Sequence, residues 1–421
     1  MVNNDSLIFH RYYPGKLVDL VCVQPGSSRA LCVSPNASTR GGVIDYFLYA
    51  GTYTEEASDG IYVARFSATT GELGSATLAA EIENPSFLCV HPNNRFLYAV
   101  SEVPRSGGLG TGCLCSWAID PSTGKLRPIG RVESFGKGPC HGSLDRTGAL
   151  IFVSNYGDGS IAAFRALPDG GLGERTAFQP NSGSSIHLPR QARAHPHGVF
   201  PCPQNCCAVV PDLGADAIFL YRLDASAGSF TPADPPLIRT AAGFGPRRFV
   251  FHPDGRFGYA LGELQSMIVG YEWQPRTCSL KATNRRSTIE QCFTGVNLAA
   301  EIAIDRDGRF LYCSNRGADD LAVFAIRSDY ELDLVQRIET AGKTPRHFAL
   351  DPTENFLIVA NQESDEAVVF ARDRNTGLLK LTHARETIPS PACIAFARSH
   401  RATGLSTEKT VSREGKWRCS Q

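Results

Sequence analysis

The sequence predicts an all-β protein, a seven-bladed β-propeller of four-stranded antiparallel blades. A short segment, usually centred on proline, recurs at positions 85, 139, 196, 246, 299 (alanine here), 345 and 391, which gives a period of 46 to 57 residues. Apolar hairpins follow these segments, and the two chain ends complement each other. Repeats of this length built from short strands are typical of propeller blades. The segments read NPSF (84–87), GPCHG (138–142), HPHG (195–198), GPRRF (245–249), LAAEI (298–302), TPRHF (344–348) and SPACI (390–394).

The first two strands of each blade are predicted by two apolar runs around a turn of the form (His/Asp)-x-x-(Asn/Gly)-(Arg). Asn, Asp, Gly and Pro at such a turn favour a β-hairpin. Weaker copies of the pattern lie at 143–155 and 199–212. The clear copies are FLCVHPNNRFLYAV (87–100), FVFHPDGRFGYAL (249–261), IAIDRDGRFLYCS (302–314) and FALDPTENFLIVA (348–360).

The third and fourth strands follow in the same order. Runs such as GSIAAFRA, DAIFLYRL, LAVFAIR and EAVVFAR indicate the third strand of a blade. The phrases TGEL, TGKL and TGLL then begin an outer strand, at 70–73, 123–126 and 376–379.

The seventh blade requires both chain ends. PACIAF (391–396) reads as a first strand with nothing after it, and residues 45–66 read as later strands with nothing before them. Joining them completes one four-stranded blade and removes the open sheet edges that favour aggregation.

Three regions follow from this register. Residues 1–43 are predicted to be an irregular N-terminal extension, residues 44–396 the propeller, and residues 397–421 a polar C-terminal tail. Lys and Arg total 42 and so do Asp and Glu. This balance makes nucleic acid an unfavourable partner, and no apolar run is long enough to span a membrane. We expect a monomer or a weak homodimer.

The fourteen cysteines are scattered, which favours a reduced, cytoplasmic protein over a disulfide framework. Cys202, Cys206 and Cys207 lie close together, but they have no second half at zinc-ligand spacing. The sequence therefore predicts no metal and no cofactor. GPCHG mimics a nucleophile elbow around Cys140, yet the repeat already explains its proline and it lacks a strand-to-helix context.

Chemistry is expected in two columns of the repeat, the residues after the proline position and those where the second strand ends, 16 to 17 positions later. If the hairpin returns the chain to the end where it entered, both columns rim the same mouth of the channel. Asp212, His141 and Tyr156 lie near the set that the columns select. That set is His197, Arg247, Glu263, Glu301, Arg316, Arg346 and His347.

These residue types suit an anionic ligand and acid–base chemistry. Guanidinium groups pair bidentately with phosphate or carboxylate. His and Glu in one pocket can exchange a proton with a substrate, and Arg can stabilise a developing oxyanion. The alternative is that each residue forms salt bridges or caps between blades.

Over residues 44–396 the chain resembles the seven-bladed propeller lactonases, a family that includes 6-phosphogluconolactonases and carboxymuconate-lactonising enzymes. The matching motifs are YAGTYT with GIYV, NPSFL with RFLYAVSE, SNYGDGS, GSSIHLPRQARAHPHGV, PDLGAD, GPRRFVFHPDGRFGYALGEL, AAEIAIDRDGRFLYCSNRGADD and TPRHFALDP with VANQESD. The resemblance implies catalytic roles for His197, Arg247, Glu263 and Arg316. It places the Arg190–Gln191 loop and His195 beside the pocket. Arg248 stands where His is common in the family.

The function expected from these observations is metal-independent hydrolysis of a sugar lactone, with 6-phosphogluconolactone as the substrate. His197 or Glu263 is the expected base. The substrate-binding residues expected around them are His195, Arg190, Gln191, Glu301, Arg346, His347, His141 and Asp212. The alternatives are a carboxy-cis,cis-muconate cyclase, a calcium site at Glu301, Asp212 and Asn315, and a non-catalytic binding scaffold.

Overall fold

The computed structural model of the protein describes residues 45–55, 57–103 and 111–399, and these form seven four-stranded antiparallel sheets. This arrangement confirms the predicted seven-bladed propeller. The predicted extension at 1–43 lies outside the described residues, as does the chain from 400 onward. In the part that the structure describes, the one helical element is the single 3-10 turn Gln362–Ser364. No helix there is long and apolar enough to cross a membrane.

The strands follow one another along the chain with short turns between them. They are β1 Asp45–Thr52, β2 Gly60–Ser67, β3 Thr77–Glu81, β4 Phe87–Val90, β5 Phe96–Ser101, β6 Cys113–Ile119, β7 Leu126–Glu133, β8 Pro139–Leu144, β9 Leu150–Asn155, β10 Ser160–Ala166, β11 Leu172–Pro180, β12 Phe200–Pro201, β13 Cys207–Asp212, β14 Ala217–Asp224, β15 Ser229–Arg239, β16 Pro246–Phe251, β17 Phe257–Gly262, β18 Met267–Gln274, β19 Ser279–Ser287, β20 Leu298–Ile304, β21 Phe310–Arg316, β22 Asp320–Ile326, β23 Leu332–Glu339, β24 Pro345–Leu350, β25 Phe356–Asn361, β26 Glu366–Arg372, β27 Leu379–Thr387 and β28 Pro391–Arg398.

The first and last described strands close the propeller. The strand order β28-β1-β2-β3 places the C-terminal strand innermost in the same blade as the first three strands. Phe47 pairs with Ala397 and Tyr49 with Ala395 in this sheet. The closure predicted from the chain ends is thus confirmed, and β28 runs two residues beyond the predicted limit at 396. We number this blade seven, and β4–β7, β8–β11, β12–β15, β16–β19, β20–β23 and β24–β27 as blades one to six.

Burial explains the composition of the strands. The second strands, such as β5, β9 and β25, are buried along their whole length. Each of these sheets packs on both faces against neighbouring blades, and a strand buried on both faces needs a continuous apolar run. The outer strands β3 and β7 consist mainly of half-buried and exposed positions.

A repeated contact joins neighbouring blades at their outer turns. Gly124, with φ +75, faces the preceding blade so closely that a Cβ atom would lie 2.6 Å from the Phe47 ring. Gly377 stands in the same relation to Phe310, at 2.3 Å. Glycine is required at such positions because the left-handed backbone disfavours a side chain and the aromatic ring occupies its space.

Candidate active site

Where several of the second strands end, two successive residues have different tasks. The first one anchors the turn: Asn155 donates a 3.2 Å hydrogen bond to the Ser134 carbonyl, and Asn361 donates one of 3.0 Å to Thr340. The second one contacts side chains of other blades around the channel mouth. The ends of these strands therefore supply both the support and the lining of the mouth.

Glu263 lies at the centre of a cluster of three guanidinium groups. Its Oε1 is 2.6 Å from Arg190 Nη2, and its Oε2 is 3.1 Å from Arg316 Nη2 and 3.5 Å from Arg247 Nη1. Burial alone would raise the pKa of this carboxyl group. The charges of Arg316, Arg247 and Arg190 outweigh burial and lower the pKa to about 2. Glu263 is therefore an ionised anchor for three arginines.

His197 touches this cluster through Arg247. The Arg247 guanidinium donates to His197 Nε2, and Arg247 Nε donates a 2.7 Å hydrogen bond to the Ala300 carbonyl. Burial, followed by the charges of Arg247 and Arg248, holds the pKa of His197 well below its usual value. His197 is accordingly a neutral imidazole whose Nε2 lone pair faces a cation.

A second layer lies at the next position of each inner strand. Arg248 Nε is 2.9 Å from Glu301 Oε2, and His347 Nε2 is 3.6 Å from the same oxygen. Phe87 covers this layer, with its ring 4.9 Å from the Arg248 guanidinium and 4.2 Å from the His141 ring. Arg248 also donates a 2.8 Å hydrogen bond to the His197 carbonyl, which ties the two layers together.

The predicted site residues are thereby divided in two. His197, Arg247, Glu263 and Arg316 meet in the upper layer, whereas Glu301, His347 and His141 lie in the lower one. Burial lowers the pKa of His347 to about 4, despite the opposing charge of Glu301. Because Arg248 occupies the Glu301 carboxylate, the lower layer is balanced in charge.

The opposite side of the mouth carries Arg346. Its guanidinium donates to the Tyr53 hydroxyl and lies 4.9 Å from the centre of that ring. Tyr53 in turn donates a 2.8 Å hydrogen bond to Glu102 Oε2. Burial raises the pKa of Tyr53, so this residue is a neutral phenol and leaves the charge of Arg346 without a direct anionic partner there.

Sequence reasoning missed Tyr53 and did not select Glu102. The repeat pattern predicts Gly51 and Thr52 as the two strand-end positions of blade seven. Thr52, however, pairs with Pro391 just as Asn155 pairs with Pro139, so the position that faces the mouth is Tyr53. Thr52 instead anchors the turn, donating a 2.7 Å hydrogen bond to the Gly60 carbonyl. The sequence did contain a signal for this position. Tyr53 follows Thr52 as Tyr156 follows Asn155 at the end of the second strand of another blade.

The loop before His195 is fastened by buried amides and a carboxylate. Gln191 Nε2 donates a 2.9 Å hydrogen bond to the Leu213 carbonyl. Asp212 accepts hydrogen bonds from the backbone N–H groups of His195 and Ala215, at 2.7 and 3.0 Å. Burial raises the pKa of Asp212 to about 6. Gln191 and Asp212 therefore hold the loop, and neither side chain is directed to the arginine cluster by these contacts.

His195 is oriented by its Nδ1, which lies 2.6 Å from the Tyr156 carbonyl oxygen. The rings of Tyr156 and His195 stack at 4.3 Å, and Tyr156 contacts His197 edge-on at 5.4 Å. Burial lowers the pKa of His195 as well. Arg190, the most exposed arginine of the cluster at 34%, bridges this side by lying 3.4 Å from the Tyr156 hydroxyl.

The mouth as a whole suits an anion. Four guanidinium groups face two carboxylates in these contacts, an excess of two positive charges. Burial and the neighbouring cations Arg316 and Arg248 lower the pKa of Arg247, which shows that like charges are held together there. The carboxylates of Glu263 and Glu301 are occupied by arginines, so neither is left free for a metal ion.

The chain is similar to lactone-hydrolysing proteins along nearly the whole propeller. The family described as "Lactonase, 7-bladed beta-propeller" matches residues 47–396. A 6-phosphogluconolactonase of Bacillus subtilis is 32% identical over 358 residues, which cover 83% of this chain and 98% of that protein. A 6-phosphogluconolactonase of Formosa agariphila is 34% identical over 342 residues, covering 79% and 94%.

A solved structure gives the same result. The periplasmic gluconolactonase of Pseudomonas aeruginosa superposes with a TM-score of 0.79 at 35% identity, covering 84% of this chain and 99% of that one. The match in sequence extends over the segments that carry the arginine cluster. On these grounds the chain belongs to the seven-bladed β-propeller lactonase family.

Proposed function

We propose that the protein hydrolyses the ring ester of a phosphorylated sugar lactone, 6-phosphogluconolactone, to the open-chain acid. The observation that carries the proposal is the cluster of arginines around Glu263 beside the neutral His197. Such a mouth provides charge for a phosphate, donors for a developing oxyanion and a base for water. The names of two relatives support this substrate.

Arg190 is the proposed phosphate ligand. It is 34% exposed, whereas Arg247 and Arg316 are 2% and 11% exposed, so Arg190 is free to turn toward a ligand at the mouth. Arg346 adds charge from the opposite rim. Because Glu263 already neutralises part of the cluster, a dianionic phosphate would balance the remaining excess of two.

Arg247 and His197 are the proposed reacting pair. Arg247 Nη1 reaches His197 Nε2, so a carbonyl oxygen bound at Arg247 lies beside the imidazole lone pair. When the carbonyl oxygen replaces His197 Nε2 as the acceptor of the Arg247 hydrogen bond, the Nε2 lone pair is freed. It takes a proton from water as the water oxygen attacks the carbonyl carbon, and Arg247 stabilises the oxyanion. The ring C–O bond then breaks, and the proton passes from His197 to the departing alkoxide. Glu263 acts as a positioning residue that holds Arg190, Arg247 and Arg316.

The test compares three lactones with purified protein: 6-phosphogluconolactone, unphosphorylated glucono-lactone and a dicarboxylate muconolactone. Each rate is measured against spontaneous opening in the same buffer. We expect the largest kcat/KM for the phosphorylated lactone. Rates no greater than the spontaneous ones for all three lactones would refute the proposal of a lactonase. A larger kcat/KM for the dicarboxylate would refute the proposal that 6-phosphogluconolactone is the substrate.

Arg190→Ala separates binding from chemistry. We expect KM for the phosphorylated lactone to rise about tenfold or more, with the value for the unphosphorylated lactone little changed, because a lost charge-assisted contact costs roughly 1.5–3 kcal/mol. Arg193→Ala is the matched control, since it removes an exposed arginine of the same loop. Equal effects of both variants would remove Arg190 from the phosphate site.

His197→Ala tests the base. General acid–base groups contribute typically about 10²–10⁴-fold, so we expect a kcat loss in that range. Because the pKa of His197 is well below its usual value, a plot of kcat/KM against pH for the native protein should show no inflection near pH 6.5. A clear inflection there in kcat/KM, absent from His197→Ala, would mean that His197 is protonated more readily than proposed.

The compartment we propose is the cytoplasm. All eleven cysteines of the described residues are free thiols, which suits a reducing environment. The Pseudomonas aeruginosa relative is periplasmic by its name, so a fractionation experiment decides between the two.

A further inference from the structure

Blade three departs from its sister blades at the turn that joins its first two strands. In other blades this six-residue turn begins with His or Asp, and most copies end with Phe. Asp145 and Asp351, for example, each accept a hydrogen bond from the N–H of the last turn residue, at 2.9 and 2.7 Å. Blade three reads CPQNCC, so cysteines replace the first, fifth and sixth residues at 202, 206 and 207.

The three thiols converge. Sγ of Cys206 lies 3.8 Å from that of Cys202 and 3.9 Å from that of Cys207, and all three lie within 4.8 Å of one another. Zn–S bonds of about 2.3 Å at tetrahedral angles place thiolates about 3.8 Å apart, so these separations match the edges of a metal–thiolate site.

A fourth cysteine supports the group from the next blade. The outer turns of most other blades place glycine against an aromatic ring of the preceding blade, as Gly124 does against Phe47. Here that pair is replaced by Cys278 and Cys207, whose thiols donate to the Tyr221 and Pro275 carbonyls at 3.3 and 3.7 Å. Cys278 adopts φ +52, a left-handed conformation that a residue with a side chain rarely takes. Filling of the core explains this pair, because Cys207 and Cys278 share one apolar cluster.

Core filling does not account for the other two cysteines in full, although Cys202 also belongs to that apolar cluster. Cys206 is exposed, and Cys202 stands where the sister turns need a polar acceptor. The turn is also held rigid in advance. Asn205 Nδ2 donates a 2.9 Å hydrogen bond to Asp145 Oδ2, and Gln204 Nε2 donates one of 3.4 Å to the Gly255 carbonyl. A fixed turn with one exposed thiol provides both preorganisation and an entry path.

We propose that Cys202, Cys206 and Cys207 bind one thiophilic d¹⁰ cation, Zn(II) or Cu(I). Thiolate ligands select these ions over hard cations. Each ligating thiol releases its proton to solvent as its bond to the metal forms, and no electron is transferred. The site lies at the far end of β12, five residues and thus about 16 Å along an extended strand from His197, so the bound ion stabilises blade three and takes no part in lactone hydrolysis.

Proton release gives a second readout. An ordinary cysteine thiol has a pKa of about 8.5, so it carries its proton at neutral pH. The metal must therefore displace protons, and its apparent affinity should rise with pH while protons are released in step with binding. A surface site of carboxylates would show little such dependence above neutral pH.

The experiment titrates the full-length protein, reduced with a non-thiol reductant, with Zn²⁺ and separately with Cu⁺, and uses Co²⁺ to detect thiolate charge-transfer absorption. We expect one equivalent bound with such a band, and a higher unfolding temperature. Loss of a residue that only supports a metal ligand lowers the metal affinity by about 10- to 100-fold. Cys206→Ser removes a ligand itself and should lower the affinity by more than that. Cys292→Ser, another exposed cysteine, should leave it unchanged.

Binding of neither cation by the native protein would overturn the proposal. So would binding that is the same in Cys206→Ser and the native protein, because the ion would then be held elsewhere. Lactonase activity measured in parallel keeps the two proposals apart, since the Cys206→Ser variant should retain it.

Discussion

At the scale of single residues, Glu263 determines the electrostatics of the mouth. Its carboxylate holds Arg190, Arg247 and Arg316 in positions that their mutual repulsion would otherwise oppose. An acid with a pKa of about 2 is a poor general base at neutral pH. In the proposed mechanism, Glu263 therefore arranges the cations and a histidine transfers the proton.

Glu263→Gln should therefore destabilise the fold as well as reduce activity. Removing one partner of a buried ion pair costs about 3–5 kcal/mol, because the remaining charges lose their compensation. Urea denaturation measures the free energy of unfolding, and kcat/KM is measured below the transition. Glu301→Gln is a control in the lower layer, where one arginine loses its partner rather than three. An equal loss for both variants would contradict the special role of Glu263.

The same carboxylate predicts acid sensitivity. Its pKa is about 2 in the folded protein against a reference value of 4.5, so the unfolded chain binds the proton more readily. The resulting stabilisation, roughly 3 kcal/mol, is fully present above pH 4.5 and is lost as the pH falls toward 2. Urea midpoints from pH 6 to pH 2.5 should fall more steeply for the native protein than for Glu263→Gln. Parallel curves would exclude this cause.

The repeat columns explain how the sequence alone could bring His197, Arg247, Glu263 and Arg316 together. Each residue follows from its distance to the proline position of its own blade, although the four lie in three blades. The pairing of Arg248 with Glu301 rather than Glu263 could not be foreseen, because it depends on depth within the channel. Tyr53 was missed because the first strand of blade seven comes last in the sequence, so no proline position precedes β1 from which its end could be counted.

At the scale of elements, the hairpins were predictable because turn residues and apolar alternation agree. Asn94, Gly148 and Gly255 all have positive φ at the same turn position, as their residue types indicate. The contact between an outer turn and the preceding blade was not predictable, since it joins residues in neighbouring blades. Phe47 and Gly124, for example, belong to blades seven and one and meet where these two blades pack together.

Gly124→Ala should test this contact. The left-handed backbone costs about 1–2 kcal/mol for a residue with a Cβ atom, and the new methyl group would lie 2.6 Å from Phe47. Gly74→Ala is the matched control, because its nearest neighbour lies 3.5 Å away and its φ is ordinary. Thermal unfolding of both variants measures the difference. A Gly124→Ala variant as stable as Gly74→Ala would show that the ring can move aside.

At the scale of the whole molecule, closure by β28 joins the chain ends in one sheet. A chain that stops at Ser390 lacks the innermost strand of blade seven and leaves β1 with an unpaired edge. We expect it to lose cooperative unfolding and to aggregate, whereas a chain that stops at Ser399 keeps every described strand. Circular dichroism melts and size-exclusion profiles distinguish them. Cooperative unfolding of the shorter chain would mean that six complete blades and an incomplete seventh are enough for a stable propeller.

This closure also sets when the enzyme can begin to work. A ribosome makes the chain from the N-terminus, so His197, Arg247, Glu263, Arg316 and Arg346 have all been synthesised before Pro391, the first residue of β28. Until β28 has left the exit tunnel, one edge of β1 has no strand to pair with. A nascent chain carries the side chains of the mouth without a closed channel to hold them, and activity should appear only once β28 has been made and has left the exit tunnel.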